Sequence, residues 1–512
     1  QGTVAEWRVG YTAELEGVLA RRCKEVLGDE YKRVMKDEKV VSLRMNPEPK
    51  KDGRLKFRLL VKGFLEPKEW DSQTDSPTVL ASTVKQLIAM GLEVEVVHDA
   101  CPDDDDVISI GDIASAFLVG KEYENGDRPR YVSYKPYKGA KLRVFQLLGS
   151  LYGQRDASYR WWQTLTQWLE SAGYKQCEND KCLFRGHGNS HEAEVNMYEG
   201  HGLALAVHVD DIITRGSRRA TKLFWEKVQG KFEVKGWDIV DYDNPLIYTG
   251  LTISKLNRDN KVWYTVDQRS DIVDFLHEHN MSSARHTNAP MPNKAEIHSD
   301  TTPLSQQEHA LYRSLIGSLV WFTQTRWDIA HDVNRLSQWL SAPPKGARRA
   351  LRRVMSYLSS TLDFKIEVPR VAGNTWHIYS DSGHAGDKTV NDAKSRTGVM
   401  ILLNGMPVHW RSNKQPVTSI SSAQAEIYAM SETARDARLR LWVHEELGGH
   451  VTYPFHVFVD NAAGISFQSS TCQASKLRGI FDVRDKWVQD LKDADELKAV
   501  KVDTKLFICR NS

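Results

Sequence analysis

The sequence is poor in cysteine and nearly neutral overall. Six cysteines are scattered along 512 residues and none forms a CxxC pair (Cys23, Cys101, Cys177, Cys182, Cys472 and Cys509). This distribution argues against a zinc site or a disulfide framework and favours a reducing compartment. The formal net charge of +2 excludes a globally basic nucleic-acid-binding protein but leaves room for local basic grooves. No apolar run is long enough to cross a bilayer and no signal peptide is evident, so no membrane partner is expected.

The remaining composition is that of an ordinary globular protein. With 41% hydrophobic and 27% charged residues, a chain of this length has room for several domains. Periodicity predicts an amphipathic helix over residues 8–38, a strand hairpin over 40–61, and a helix that opens at Ser76-Pro77 and runs to residue 90. The acidic run at 103–106 is expected to form a solvated surface loop.

The predicted secondary structure changes twice in the second half of the chain. Residues 305–361 are strongly helical with a break at Pro343-Pro344, and from about Thr375 strands and helices alternate as in a mixed α/β domain. The helical part carries a basic run (Lys345, Arg348, Arg349, Arg352 and Arg353). That run is either a solvated helix face or a contact for a nucleic-acid backbone.

One apolar stretch contains a bare pair of acids. In LALAVHVDDIIT, at 203–214, Asp210 and Asp211 lie between aliphatic runs typical of a strand hairpin with a buried face. Adjacent carboxylates repel each other unless a cation lies beside them, and Mg²⁺ with oxygen ligands is the simplest candidate. Asp112 ends another buried strand, 107–113, so neighbouring strands would bring three carboxylates together for two Mg²⁺ ions. For the pair alone, the alternative is a solvated turn.

A second group of acids follows in the C-terminal part. Asp381 and Asp460 lie at the ends of predicted strands, and Glu426 lies on a long predicted helix. Taken singly, a helical glutamate is usually surface charge, but SSAQAEIYAM around Glu426 is mostly small and apolar and indicates a packed face. Three such carboxylates favour metal-assisted attack of water on a phosphodiester.

Ten motifs occur in order along nearly the whole chain. They are KFRLLVKGF, DIASAFLVG, LYGQRDASYRWW, VHVDD, IYTGLTI, YRSLIGSLVWFTQTRWDI, SDSGHAGD, SRTGVMILLNGMPVHWRSNKQ, SSAQAEIYAM and VDNAAG. The series resembles the reverse transcriptase–RNase H region of a copia-like LTR retrotransposon polyprotein. KFRLLVKGF corresponds to that family's finger strand, and the next three segments correspond to its successive polymerase motifs. A VDD triplet alone is a weak signal, whereas the ordered series is highly specific.

The resemblance implies a fold class and a domain order. The class is α+β, with a fingers-palm-thumb polymerase and a C-terminal RNase H-like α/β domain. We expect the fingers and palm over residues 1–250, a thumb or connection region over 251–370, and the RNase H-like domain over 371–512.

The resemblance also implies site residues. Catalytic, metal-binding carboxylates are expected in two groups (Asp112, Asp210 and Asp211; Asp381, Glu426 and Asp460). Binding of the incoming deoxynucleoside triphosphate is assigned to Arg58, Lys62 and Phe117. Arg58 would pair with the triphosphate as a planar donor fork, and the Phe117 ring would clash with a 2′-hydroxyl.

The implied function is RNA-directed DNA polymerisation with an attached RNase H domain, copying retrotransposon RNA by two-metal nucleotidyl transfer. The cofactor would be Mg²⁺, with Mn²⁺ as an alternative. The partners would be an RNA template, a DNA primer, the RNA–DNA hybrid and dNTPs, with the oligomeric state left open. The expected location is a cytoplasmic virus-like particle with a nuclear phase.

Several residues depart from the family pattern. His208 stands where the family usually has tyrosine, beside the acidic pair. Asp156 stands where glutamine is frequent, and this extra carboxylate needs neutralisation, for which Arg155 and Arg160 are the candidates. Trp327 replaces a usual proline and is expected to alter packing only.

The last departure lies at the end of the sequence. The family supplies a fourth RNase H acid in an Ala-Asp pair after a VDT-type strand, but the residues after Val502-Asp503-Thr504 contain no matching aspartate. This predicts an RNase H site with three of four ligands and a weak second metal, unless Asp482 or Asp485 substitutes. The alternative for the whole chain is a decayed or repurposed copy that acts as a nucleic-acid-binding scaffold.

Overall fold

The computed structural model describes residues 4–49, 55–70, 73–91, 106–124, 127–137, 139–186, 203–291, 295–298, 300–371, 373–384, 394–460, 465 and 483–503. In chain order the helices are α1 (Val4–Arg22), α2 (Gly28–Asp37), α3 (Ala81–Ala89), α4 (Ala116–Val119), α5 (Ala157–Ser171), α6 (Arg218–Lys231), α7 (Arg269–Glu278), α8 (Ala295–His298), α9 (Gln306–Phe322), α10 (Ala330–Ser337), α11 (Lys345–Ser360), α12 (Ser422–Glu446) and α13 (Val483–Asp493). The strands are β1 (Cys23–Glu25), β2 (Val40–Pro49), β3 (Leu55–Val61), β4 (Asp106–Ile113), β5 (Tyr131–Tyr134), β6 (Arg143–Leu147), β7 (Tyr174–Gln176), β8 (Leu183–Gly186), β9 (Ala204–His208), β10 (Asp211–Ser217), β11 (Val234–Ile239), β12 (Leu246–Tyr248), β13 (Leu251–Arg258), β14 (Lys261–Asp267), β15 (Ile366–Pro369), β16 (Trp376–Gly383), β17 (Arg396–Leu403), β18 (Met406–Lys414), β19 (Phe455–Val459) and β20 (Leu497–Lys501). The α+β class is confirmed.

The N-terminal sheet has the strand order β1-β6-β5-β2-β3. The predicted hairpin is present as β2 and β3, which pair in antiparallel register. The single helix predicted over 8–38 is wrong, because α1 and α2 are separated by β1. Strand β1 pairs with β6, and Gly28 then takes a left-handed conformation with φ of 60°. A tertiary strand pairing therefore overrides a helical pattern.

The central sheet carries the acidic pair and has the order β11-β4-β10-β9-β8-β7. Strand β4, second from one edge of this sheet, is buried along nearly its whole length because both faces are covered. Helix α6 packs against one face with Phe224 and Trp225, and the other face joins a core that includes residues of α3. The sheet thereby fixes which residues at its strand ends lie beside one another.

Two further sheets follow. Strands β12-β13-β14-β15 form one, so residues after the helical segment return to complete it. The C-terminal sheet has the order β18-β17-β16-β19-β20, with β16 parallel to β19 and α12 packed on it. The turn between β17 and β18 is Asn404-Gly405, and both residues have positive φ, as a two-residue hairpin turn requires.

Two other expectations are corrected. The helix predicted from Ser76-Pro77 begins at Ala81, because the Leu80 N–H donates to the Asp180 carboxylate and Leu80 stays extended. The acidic run at 103–106 is not wholly a solvated loop, because Asp106 is buried and pairs with Arg215 at 2.9 Å. The other three acids of that run lie outside the described residues.

Helix α3 is bonded to the C-terminal part of the chain. The Gln86 side chain donates to the Arg440 carbonyl at 2.8 Å, and the Asn404 side chain donates to the Ala89 carbonyl at 2.9 Å. One apolar core accordingly runs from α3 and β4 to β16 and α12. Within the described residues, no helix combines the length and apolarity needed to span a bilayer.

Candidate active sites

The first acidic group forms at one end of the central sheet. Strands β4 and β10 are antiparallel, and their register sets Asp112 directly opposite Asp211. Asp210 lies in the turn before β10, and its carbonyl accepts a hydrogen bond from the Ile113 N–H at 2.9 Å. One carboxylate oxygen from each of the three aspartates lies within 4.8 Å of the others. The structure thus brings together the three acids expected from the sequence.

The hairpin tip that carries Asp210 is held in a sparsely populated conformation. Val209 has φ of 59°, which is rare for a β-branched residue and is found where surrounding contacts enforce it. Trp161 of α5 supplies that contact, because its buried indole N–H donates to the Val209 carbonyl at 2.6 Å. The helix of the second polymerase motif therefore fixes the turn of the third.

The three carboxylates repel each other in a half-buried place. Burial, followed by the Asp210 and Asp112 charges, raises the pKa of Asp211 to about 6. Burial and then the Asp112 charge also raise the pKa of Asp210, while Lys235 and Lys56 oppose this. Carboxylates crowded in this way are a donor set of hard oxygen atoms suited to divalent cations.

Lys235 is a site residue that the sequence analysis missed. It lies on β11, next to β4, and its ammonium donates to both Asp112 carboxylate oxygens at 2.7 and 2.5 Å. It is also 3.9 Å from the Asp210 carboxylate. The local sequence does not predict that β11 pairs with β4. The position of Lys235 beside Asp112 therefore becomes evident only from the order of strands in the sheet.

The three residues assigned to nucleotide binding flank the same end of the sheet. Phe117 follows β4 on α4, and its ring packs edge-on against Tyr152 with centroids 5.6 Å apart. The Arg58 guanidinium also lies over the Tyr152 ring, 5.9 Å from its centre, and it forms an ion pair with Glu48. Tyr152 therefore links Arg58 to Phe117, a role that the sequence analysis did not assign.

Lys56 lies on β3 with Arg58, and its charge acts on Asp210. Lys62 directly follows β3, and its N–H donates to the Ser42 carbonyl at 3.2 Å. The neighbouring Gly63 is required by close approach, since a Cβ there would lie 2.2 Å from the Gly153 carbonyl oxygen. The loop that contains Tyr152 is thus fastened to the end of β3.

The departures from the family pattern have local explanations. Asp156 is buried and pairs with Arg160 and Arg130, both at 2.9 Å. Arg160 is confirmed as a neutralising partner, Arg130 is a second partner that was not predicted, and Arg155 bonds Glu66. The Asp156 carboxylate is therefore neutralised within the fold.

The other two substitutions behave differently from each other. His208 faces Asp211 across the β9–β10 hairpin, so it remains at the acidic pair. Trp327 packs against the core and against Phe364, with ring centroids 6.0 Å apart, as expected for a change in packing.

Two of the five residues in the basic run on α11 pair with carboxylates. Arg348 pairs with Glu308, and Arg349 pairs with Asp300 at 2.8 Å. These two charges are paired with carboxylates on the protein surface, whereas Arg352 contacts the Met281 sulfur and Arg353 the Ala289 carbonyl.

The second acidic group also assembles. Asp381 lies on β16, Glu426 on α12 and Asp460 directly after β19, and their carboxylate oxygens lie within 4.8 Å of one another. Glu426 is 9% exposed, which confirms the packed face. The prediction of a missing fourth acid rests on residues 504–512, on Asp482 and on the side chain of Asp485. All of these lie outside the described residues.

A buried glutamine stands behind this second group. The Gln415 amide donates to the Ala425 carbonyl at 3.0 Å and to the Thr397 hydroxyl at 3.1 Å. Its carbonyl oxygen accepts from Ser419 at 3.0 Å. Gln415 therefore ties the first turn of α12, immediately before Glu426, to the strand beside Asp381.

Comparison with known proteins agrees with this geometry. The family model for reverse transcriptase (RNA-dependent DNA polymerase) matches residues 31–292, just over half of the chain. The chain therefore belongs to the reverse transcriptase family, and that membership implies the use of divalent metal ions. The ordered match does not favour the alternative of a decayed scaffold.

Curated relatives are polyproteins of retrotransposons. The Retrovirus-related Pol polyprotein from transposon TNT 1-94 of Nicotiana tabacum is 26% identical over 474 residues, covering 89% of this chain and 33% of the relative. The corresponding polyprotein from transposon RE1 of Arabidopsis thaliana is 28% identical over 450 residues, covering 83% of this chain and 27% of the relative. The chain thus spans about a third of the length of these relatives.

A solved structure supports the fold. The foamy viral protease–reverse transcriptase in complex with double-stranded DNA matches with a TM-score of 0.50 at 11% identity. The match covers 90% of this chain and 65% of that chain. At this identity the likeness concerns the fold alone.

Proposed function

We propose that this chain is an RNA-directed DNA polymerase that extends a DNA primer on an RNA template at Asp112, Asp210 and Asp211. The observation that carries the proposal is the convergence of these three carboxylates at one end of the central sheet. Membership of the reverse transcriptase family supplies the reaction class.

The donor set fits Mg²⁺, because all three groups offer hard carboxylate oxygens and their mutual repulsion is relieved by added positive charge. Two bound divalent ions would activate the primer hydroxyl, bind the triphosphate and stabilise the leaving pyrophosphate. Mn²⁺, with similar ligand preferences, is the alternative ion. Before metal binds, Lys235 balances part of the carboxylate charge, so it has to release Asp112 when an ion takes that place.

The nucleotide is assigned to the edge formed by Arg58, Lys62 and Phe117. Arg58 would exchange Glu48 for the triphosphate, to which its planar fork offers paired donors. Phe117, braced by Tyr152, would exclude a 2′-hydroxyl and select dNTPs. Phosphate contacts are expected to dominate binding of the hybrid, which should weaken with salt.

We also propose that Asp381, Glu426 and Asp460 cleave the RNA strand of the RNA–DNA hybrid. The carboxylates lie within 4.8 Å of one another, and water is the attacking group in such a site. The division into fingers and palm (1–250), connection (251–370) and RNase H-like domain (371–512) and the location in cytoplasmic virus-like particles with a nuclear phase remain part of this proposal.

The test is primer extension on an RNA template with dNTPs, with Mg²⁺, Mn²⁺ or EDTA. We expect synthesis with either ion and none with EDTA. A parallel assay on an RNA–DNA hybrid without dNTPs measures RNA cleavage separately. Binding of the hybrid without any metal-dependent synthesis would contradict the polymerase assignment, and synthesis without cleavage would contradict only the RNase H assignment.

A further inference from the structure

A cavity lies where three parts of the chain meet. It is bounded by α3, by the end of α9 together with α10, and by the edge strand β18, and its volume is about 390 Å³. That volume lies within the range of about 300–1,000 Å³ found for small-molecule sites. None of the residues that line the cavity belongs to either acidic group.

The charge of the lining is of one sign. Among the described residues that line the cavity, three are basic (Lys85, His409 and Arg411) and none is aspartate or glutamate. Polar side chains that can donate or accept hydrogen bonds complete the wall (Ser82, Asn334, Ser412 and Asn413). A basic wall with neutral polar groups is complementary to an anion.

Lys85 is the buried cation in this wall. It is 4% exposed, and its ammonium donates to the Gln324 carbonyl at 2.8 Å. The same ammonium lies 3.7 Å from the centre of the Trp410 ring. An ammonium has three N–H donors, and among the described residues these contacts supply one carbonyl acceptor and no carboxylate.

The surroundings of Lys85 disfavour its charged form unless an anion pairs with it. Burial, and then the Arg440 charge, lowers the pKa of Lys85 to about 7. The other two basic groups are already compensated, since Arg411 pairs with Asp436 at 2.8 Å and His409 lies 3.3 Å from the same carboxylate. Lys85 is therefore the cation of this cavity that lacks a carboxylate partner within the described part of the chain.

We propose that this cavity, here called the junction cavity, binds a small phosphate-bearing anion that pairs with the Lys85 ammonium. A phosphate group offers several acceptors to a point-charge donor and is a common ligand of lysine. Such a ligand would contact α3, α10 and β18 at once. The proposal is independent of the polymerase and RNase H assignments.

The test is isothermal titration of the full chain in EDTA, which removes divalent ions from both acidic groups. Orthophosphate, pyrophosphate and dAMP serve as separate probes, because they share the phosphate but differ in size and source. We expect at least one to bind with a dissociation constant of about 1 mM or below. Absence of binding by all three would overturn the proposal.

Two variants locate the binding. Lys85→Met keeps the side-chain length without the charge, and we expect affinity to fall at least about tenfold, because charge-assisted hydrogen bonds are the strong ones. Asn413→Asp leaves Lys85 in place and adds a carboxylate of the same shape to the wall, so it should also weaken binding. Asn257→Asp, at an exposed position near the end of strand β13, is the matched control for charge and should bind like wild type.

The variants also separate the outcomes. If Lys85→Met fails to fold, Asn413→Asp alone decides the question. Binding that is equally strong in Asn413→Asp and in Asn257→Asp would place the anion elsewhere and overturn the proposal. Loss of binding in Asn413→Asp but not in Asn257→Asp would support it.

Discussion

Asp112 and Asp211 face each other across the antiparallel strands β4 and β10, with Asp210 in the adjoining turn. This register converts a separation of about a hundred positions in sequence into one cluster of carboxylate oxygens within 4.8 Å. Because β4 is buried on both faces, neither strand can slip without exposing apolar side chains. The fold therefore holds three like charges together before any cation is bound.

The first prediction concerns the choice of sugar. Phe117→Ala should raise the ratio of ribonucleotide to deoxynucleotide incorporation by at least about tenfold, equivalent to about 1.4 kcal/mol, because the ring would no longer meet a 2′-hydroxyl. Single-nucleotide incorporation kinetics with dNTP and rNTP measure the ratio. Val119→Ala, on the same helix and 40% exposed, is the control and should leave it unchanged. An unchanged ratio in Phe117→Ala would remove this residue from the nucleotide site.

The second prediction concerns Gln415 as a positioning residue. Gln415→Leu removes the bonds to Ala425 and Thr397 and should lower cleavage of an RNA–DNA hybrid by about 10–100-fold, the usual effect of residues that orient metal ligands. Primer extension should stay near wild type, because the other acidic group is untouched. Raising the Mg²⁺ concentration should partly restore cleavage if metal binding is weakened. Equal loss of both activities would indicate general misfolding instead.

The third prediction is a test of the buried pairing around Asp156. Asp156→Ala leaves Arg130 and Arg160 without their shared carboxylate and should lower the free energy of unfolding by about 3–5 kcal/mol. Urea denaturation measures the change. Glu25→Ala breaks the more exposed pair with Arg143 and should cost no more than about 1 kcal/mol. Similar costs for the two variants would contradict the role given to Asp156.

The fourth prediction follows from His444, which is buried against Trp376. Neither ring nitrogen of His444 has a hydrogen-bond partner among the described residues, and burial, with the His450 charge second, lowers its pKa to about 4. In the unfolded chain this histidine binds a proton near the ordinary pKa of 6.5. The contribution of neutral, buried His444 to the free energy of unfolding is therefore complete above pH 6.5 and is lost as the pH falls toward 4.

The expected cost between pH 7.5 and pH 5 is about 2 kcal/mol of unfolding free energy, at about 1.4 kcal/mol for each pKa unit. Urea denaturation at both pH values should show this loss in wild type and a smaller loss in His444→Leu, which has no titrating group there. The same pH dependence in both proteins would show that His444 does not contribute.

The sequence predicted the acidic groups well because each acid lies within or beside a strong apolar pattern. Asp112 lies near the end of the buried strand β4, the Asp210-Asp211 pair lies between β9 and the body of β10, and Glu426 lies on a helix face made of small and apolar residues. These signals are local. A carboxylate at the end of a strand can be predicted from the local apolar pattern, without knowing which strands become neighbours.

The site residues and the helix start that the sequence did not predict all depend on tertiary contacts. Lys235 reaches Asp112 only because β11 pairs with β4, and Tyr152 joins Arg58 to Phe117 through packing between distant segments. The predicted start of α3 was too early in the sequence, because the Leu80 N–H donates a hydrogen bond to the Asp180 carboxylate. Such partners leave no periodic signal in the sequence, so propensity and spacing could not identify them.

The most direct measurement is RNA-templated primer extension by wild type and by Asp210→Asn, with hybrid binding measured on the same samples. We predict that the substitution lowers the synthesis rate by more than about 100-fold, since even groups that only orient metal ligands contribute about 10–100-fold. Hybrid binding should be retained, and Asp243→Asn, an exposed acid in the turn before β12, should behave like wild type. Primer extension by Asp210→Asn at the wild-type rate would contradict the account.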